Sequence, residues 1–263
     1  MVTTLLFILG AIVGSFINVV GLRWGTEETL GGRSHCTSCG KNLSWYELVP
    51  VLSFLFLRGK CRKCGAKISW QYILIELWTG LVFTSVFNVI APSDLLSTIY
   101  YLLFTLIFSI YIVILIYDWY HKIIPDELVY TAILLSVVSR WLSVSSTLDW
   151  LAGPILFAFF GLIWLLSKGR AMGFGDAKLG LSVGLLLGAT QGFSAIVLAF
   201  WIGALGSLIF IFLNKVGLPA QAGFIKGAKG LTMKSEIPFA PFIIISAWIS
   251  FVFNLNIINV ALF

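Results

Sequence analysis

The sequence predicts an all-α polytopic membrane protein. About eight transmembrane helices are expected, with both termini outside and a small zinc-binding cytoplasmic domain between helices 1 and 2. Three observations carry this. The 263 residues are 59% hydrophobic and only 11% charged, with a mean hydropathy of +1.02, whereas a soluble domain carries roughly 25% charged residues. The apolar stretches are long and unbroken instead of alternating over about ten residues, which favours helices over a barrel. All four cysteines sit in one polar stretch, in two C-x2-C pairs.

In chain order the apolar windows are Thr3–Leu22, Ile73–Ile90, Leu95–Tyr117, Leu128–Val144, Leu151–Leu166, Leu179–Ala189, Phe193–Leu213 and Phe239–Ile258. The first has no basic residues before it, and Arg23 follows it, so it reads as a retained helix and not a signal peptide. The sixth is short for a crossing that needs about 20 residues. Its Gly180, Gly184 and Gly188 recur at helical spacing and suit close helix packing. The implied division is helix 1 at 1–22, a cytoplasmic cysteine domain at 23–72 and a seven-helix membrane domain at 73–263.

Orientation follows from Lys and Arg. The loops at 23–72, 118–127, 168–178 and 214–237 hold all 17 basic residues except Arg140, which is expected to snorkel beside Trp141. Those four loops are therefore placed in the cytoplasm. The remaining connections, at Ala91–Asp94, Ser145–Asp149 and Thr190-Gln191, are too short to hold a site. The net charge of +6 is accounted for by this asymmetry and implies no nucleic-acid partner.

The pairs Cys36/Cys39 and Cys61/Cys64 are 21 residues apart and each is followed by glycine, Gly40 or Gly65. That spacing matches a tetrahedral four-thiolate zinc site, and a cytoplasmic location disfavours the alternative of two disulfides. Four thiolates leave no open coordination position, so the expected role is structural. A loop of this length with little apolar content needs such a staple to fold alone.

The eleven acidic residues can be sorted one by one. Glu27, Glu28 and Glu47 are expected to be solvated. Asp94 and Asp149 are read as turn or N-cap residues, and Glu127 and Glu236 as charges suited to helix N-termini. Glu76 either snorkels to the interface or serves the cysteine domain. Asp126, after Pro125, fits a helix N-cap. Asp118 ends a long apolar run, where a carboxylate opposes the helix dipole. Asp176, in Gly173-Phe174-Gly175-Asp176, stands where the chain re-enters the membrane, and such a charge is a functional candidate by default. Topology puts Asp118 and Asp176 at one depth on one side. Paired carboxylates can share a proton, one acting as general base on water and the other as general acid, which is aspartyl-protease chemistry. A proton-coupled transporter or an assembly scaffold could also pair them. Gly180-Leu181-Ser182-Val183-Gly184 matches a serine-nucleophile pattern, but inside an apolar helix it reads as chance.

Together these residues resemble the prepilin peptidase (type IV leader peptidase/N-methyltransferase) family along nearly the whole chain. Gly14–Val20 with Arg23 is similar to the family's opening signature. The two knuckles match its cytoplasmic tetrad, with Leu43–Ser53 similar to the stretch between them. Asp118 with Ile124-Pro125-Asp126 matches the first catalytic motif, and Gly173-x-Gly175-Asp176-x-Lys178-Leu179 the second. Pro238–Phe242 resembles the start of the last helix, with alanine where glycine is usual.

The resemblance implies a bacterial inner-membrane aspartyl enzyme with Asp118 and Asp176 catalytic and Gly173, Gly175, Lys178, Pro125 and Asp126 in support. It would cleave short basic leaders from prepilins and pseudopilins of pilus, competence or type II secretion systems at the cytoplasmic face. Its partners would then be those precursors and membrane lipid. The resemblance further implies N-methylation of the new terminus from S-adenosylmethionine, with Gly59 and Glu76 associated with that step. A presenilin-like protease would share the two aspartate motifs, but it lacks a four-cysteine loop.

Overall fold

The computed structural model describes residues 1–26, 31–143, 146–215 (side chains through 209) and 238–257. Among them the regular elements are helices, with two isolated β-bridges, His35–Asn42 and Lys60–Lys67, in the cysteine region: α1 (Val2–Arg23), a 3-10 turn (Trp45–Glu47), α2 (Leu52–Phe56), α3 (Trp70–Ile90), α4 (Leu95–His121), α5 (Asp126–Leu142), α6 (Thr147–Ser167), α7 (Phe174–Lys215) and α8 (Ala240–Val252). Five are long and apolar enough to cross a membrane: α1, α3, α4, α6 and α7 over Phe174–Ile209. The window expected at Leu128–Val144 is the 17-residue α5, and that at Phe239–Ile258 is the 13-residue α8. Glu27, Glu28 and Glu236, with the basic residues Lys226, Lys229 and Lys234, lie outside the described residues.

The chain forms two compact units, one containing Met1–Ser85 and the other Val86–Ile209 with α8. In the first unit, α1 crosses α3 at small residues. A Cβ on Gly10 would lie 2.8 Å from the Thr79 carbonyl oxygen, and one on Gly14 would lie 2.9 Å from the Glu76 Cα. The Asn18 amide fastens the crossing by donating to the Tyr72 carbonyl at 3.3 Å.

In the second unit α4 is the central helix, with Ile107, Phe108, Tyr111, Ile112 and Ile114 fully buried. Its start is fixed by Asp94, whose side chain accepts from the Ser97 amide at 3.2 Å, as expected of an N-cap. The Tyr111 hydroxyl bonds Ser182 at 2.8 Å, and Ser182 bonds Ser136 at 3.0 Å, so α4, α5 and α7 share one hydroxyl cluster. Ser182 is completely buried within a helix, which agrees with reading its glycine-flanked motif as chance.

Helix α7 turns back on itself. Gly188 has φ 81° and ψ −174°, and a Cβ on Gly192 would lie 3.3 Å from the Gly184 Cα. Eight residues along a straight helix span about 12 Å, so the chain reverses at Gly188, two residues before the expected turn at Thr190-Gln191. The reversal frees carbonyls that Arg140 recovers: Nε donates to Leu185 at 2.8 Å and Nη2 to Leu186 at 2.9 Å. The Ala189 amide donates to Asp149 Oδ1 at 3.0 Å.

Arg140 is therefore not a snorkelling residue. It is only 9% exposed because buried backbone acceptors need a partner more than the interface needs a charge. Asp149 occupies the third position of α6, where it caps together with Ser146, the true N-cap. The three glycines divide their roles. Gly180 and Gly184 pack on Phe160 and Gly153, while Gly188 supplies the backbone conformation.

Candidate active site

In the second unit, α4 and α7 each deliver one buried carboxylate. Asp118 sits in the last turn of α4 and is 5% exposed; Asp176 is 8% exposed. Helix α4 ends cleanly beyond Asp118, because Lys122 takes the left-handed conformation and its amide donates to the Asp118 carbonyl at 2.8 Å. The Asp118 carboxyl receives a hydrogen bond from the backbone of Ala240, at the start of α8. Its Oδ2 is buried with no hydrogen-bond partner among the described residues.

Asp176 is the third residue of α7. Its amide donates to the Gly173 carbonyl at 3.2 Å and its carboxyl is bonded in return by the Gly173 backbone. That is the reciprocal arrangement of a helix N-terminus. Asp118 lies near enough for its charge to bear on Asp176, although 58 residues separate them in the sequence. One stands at a helix C-terminus and the other at a helix N-terminus, where the dipoles have opposite effects on a negative charge. Such a pair is equipped to hold one proton between two carboxyls.

Two contacts set the register of the pair. A Cβ on Gly175 would lie 2.9 Å from the Ile124 Cβ, so the α4–α5 connection presses directly on the residue before Asp176. Lys178 binds Asp126 at 2.6 Å and lies 4.8 Å from the Tyr130 ring and 5.4 Å from the Phe174 ring. Asp126 is thus not an N-cap. Pro125 holds that position, and Asp126 is the first helical residue, free to pair across to α7. Replacing Gly175 with alanine forces Ile124 or the start of α7 to move. A displacement of about 1 Å costs on the order of 10²-fold in rate, so Gly175→Ala should slow any reaction that the pair carries by that order. Unchanged kinetics would show that this close approach does not set the site.

The first unit holds the cysteine centre. The Sγ atoms of Cys36, Cys39, Cys61 and Cys64 all lie within 4.8 Å of one another, and Cys36 and Cys64 are 3.8 Å apart. Thiolates about 2.3 Å from a tetrahedral zinc stand about 3.8 Å from each other, so the residues fit the metal. The knuckles repeat one another. Gly40 donates to the Cys36 carbonyl and Gly65 to the Cys61 carbonyl, both at 2.9 Å, with φ of 68° and 69° at the two glycines.

Backbone amides of Ser38 and Cys39 draw the Cys36 thiol down to about 6. Those of Cys64 and Lys63 lower Cys61. The Ala66 amide also favours the Cys64 thiolate, but desolvation and the other sulfurs outweigh it and push Cys64 up to about 11.

Glu47, expected to be solvated, is 6% exposed. Its carboxylate accepts from the Ser44 amide at 2.8 Å and from Lys41 at 2.9 Å. The Ser44 amide and then the Lys41 ammonium hold it below the usual carboxylate range. Glu76 resolves toward the cysteine loop: it is 7% exposed and its Oε2 accepts from the Val51 amide at 2.8 Å. Sequence reasoning missed the Ala240 backbone contact. The proline-flanked start of α8 was its only signal. The pairing of Lys178 with Asp126 was equally invisible, since neither motif names the other.

Comparison with known proteins places these residues in context. Residues 8–90 match the family model described as Bacterial Peptidase A24 N-terminal domain, and residues 105–211 match that of the Type IV leader peptidase family. A Pseudomonas putida protein named prepilin leader peptidase/N-methyltransferase is 30% identical over 94% of this chain and 89% of its own. A protein of the same name from Pseudomonas aeruginosa is 30% identical over 92% and 87%. A third, from Bacillus subtilis, is 28% identical over 97% and 96%. No solved structure matches the chain.

Proposed function

Because the chain belongs to the type IV leader peptidase family, we propose that it cleaves the leaders of prepilins and pseudopilins and then methylates the new N-terminus. The observation that carries this reading is the two buried carboxylates, Asp118 and Asp176, the charge of the first bearing on the second, with one Asp118 oxygen left without a partner among the described residues.

In this reading one carboxylate takes a proton from water as it attacks the carbonyl of the leader bond, while the other, protonated, gives its proton to the carbonyl oxygen. As the tetrahedral intermediate collapses, the first passes the water proton to the leaving amine and the second recovers its proton from the hydroxyl. The Ala240 backbone bond orients Asp118, and Gly173 orients Asp176. Gly175 brings Asp176 close to the Ile124 segment. The Lys178–Asp126 pair, with Pro125 capping α5, keeps the two helix starts in register.

The domain division at 22 and 72 belongs to the same reading, as do eight membrane crossings with both termini outside. The reversal of α7 at Gly188 supports two crossings within it, and the distribution of basic residues supports a cytoplasmic site in the bacterial inner membrane. Cys36, Cys39, Cys61 and Cys64 would hold one zinc ion, which supplies a structural crosslink. S-adenosylmethionine would supply the methyl group.

Mass spectrometry tests the whole reading. Purified protein, incubated with a prepilin-like peptide and S-adenosylmethionine, should release the leader and leave a mature peptide one methyl group heavier. An intact peptide would overturn the proposal, and an unmodified mature terminus would reduce it to a peptidase.

A further inference from the structure

The two residues that the family resemblance attaches to methyl transfer, Glu76 and Gly59, hold opposite ends of the five-residue helix α2. At its entrance the Leu52 amide donates to the Pro50 carbonyl at 2.6 Å, closing a three-residue turn about Val51, which has φ 62° and ψ −52°. A turn of this hand is rare and strained, and a β-branched residue at positive φ is an outlier in its own right. The Val51 amide donates to Glu76 Oε2 at 2.8 Å, and the Ser15 hydroxyl also bonds the Glu76 carboxyl.

In the middle of α2, Phe54 is buried, with its ring 5.0 Å from that of Trp70. At the exit, Gly59 has φ 65°, and a Cβ there would lie 3.0 Å from the Phe54 ring. Its amide donates to the Phe54 carbonyl at 2.9 Å and its carbonyl accepts from Ile68 at 2.7 Å.

We propose that Glu76 is a positioning residue: its buried carboxylate latches the strained turn at Val51 and so fixes α2, instead of touching the methyl donor or the substrate amine. The proposal rests on the reading that this unit carries methyl transfer. A carboxylate that accepts from a backbone amide and a hydroxyl and is only 7% exposed has little surface left for a ligand. The strain at Val51 persists only where its surroundings over-determine it, and among the described residues the Glu76 contact is the one that reaches its amide. Gly59 does the corresponding work at the other end, through backbone and ring contacts.

The latch makes a prediction that a ligand-contacting role does not. If Glu76 serves to offset strain at Val51, removing the strain removes the need for Glu76. Glycine takes positive φ freely. The full-length protein is compared as wild type, Glu76→Ala, Glu76→Gln, Val51→Gly and the Val51→Gly/Glu76→Ala double variant. Each is assayed for cleavage and methylation of one prepilin-like peptide and for amide hydrogen exchange over residues 49–57.

Glu76→Ala should lower methylation about tenfold, the equivalent of one lost hydrogen bond to a charged group, and raise exchange in α2 while cleavage continues. Glu76→Gln, which keeps an acceptor, should sit between Glu76→Ala and wild type. The double variant should regain both protection and methylation. Unchanged exchange in Glu76→Ala, or a double variant with restored protection but no methylation, would overturn the latch and make Glu76 a contact residue. Should the wild type not methylate at all, the functional reading fails separately, and exchange alone decides: protection restored by Val51→Gly supports the latch, and its failure to return overturns it.

Discussion

Asp118→Asn and Asp176→Asn should each lower cleavage of a prepilin-like peptide by about 10³-fold, the scale of a lost general acid or base. Asparagine keeps the size of aspartate, and an amide oxygen can still accept from the Ala240 or Gly173 backbone. The packing of α4 against α5 and α8 should therefore survive. What the amide cannot do is take and return a proton. The effects should also be non-additive: the double variant should be no slower than the worse single one, because residues that act as a unit are lost together. Thermal unfolding in detergent supplies the control. A single variant that cleaves at the wild-type rate, or loses activity only through unfolding, would sink the dyad.

Cys36→Ser should take the zinc content of the protein from about one ion to near zero, since structural zinc binding in small domains is worth about 10–16 kcal/mol at neutral pH. Serine cannot supply the thiolate that the Ser38 and Cys39 amides prepare. The three remaining sulfurs, within 4.8 Å of one another, would then be one ligand short of a tetrahedral site. Limited proteolysis should cut between residues 31 and 69 in Cys36→Ser and spare the wild type. Cys61→Ser should behave alike, because the second knuckle repeats the hydrogen bonds of the first. Unchanged zinc stoichiometry measured by atomic absorption would rule out a four-thiolate site.

The signals legible in the sequence were those that depend on residues near one another in the chain. Hydropathy over about twenty residues located the five helices long and apolar enough to cross a membrane, and C-x2-C pairs with trailing glycines located the knuckles. The place of Asp118 at the end of an apolar run marked it against the local helix dipole. Charge placement singles out Asp176 on similar grounds, and both carboxylates are buried in the structure. Assigning single polar residues was less successful. Arg140 was read as snorkelling, Asp126 as an N-cap and Glu47 as solvated. Each of these found a buried or cross-helix partner instead, in Leu185 and Leu186, Lys178 and Lys41 respectively.

By itself, then, the sequence determined the class of protein, its five membrane-length helices and its four-cysteine cluster. These follow from composition and short-range spacing, which the chain carries as a linear record. Only the tertiary structure decided that α7 reverses at Gly188, that Arg140 and Asp149 support that reversal, and that Glu76 reaches back to the strained Val51. The physical reason is common to all three. A buried carbonyl, amide or carboxylate must find a partner, and that partner is chosen by proximity in space across 25 to 46 residues of chain.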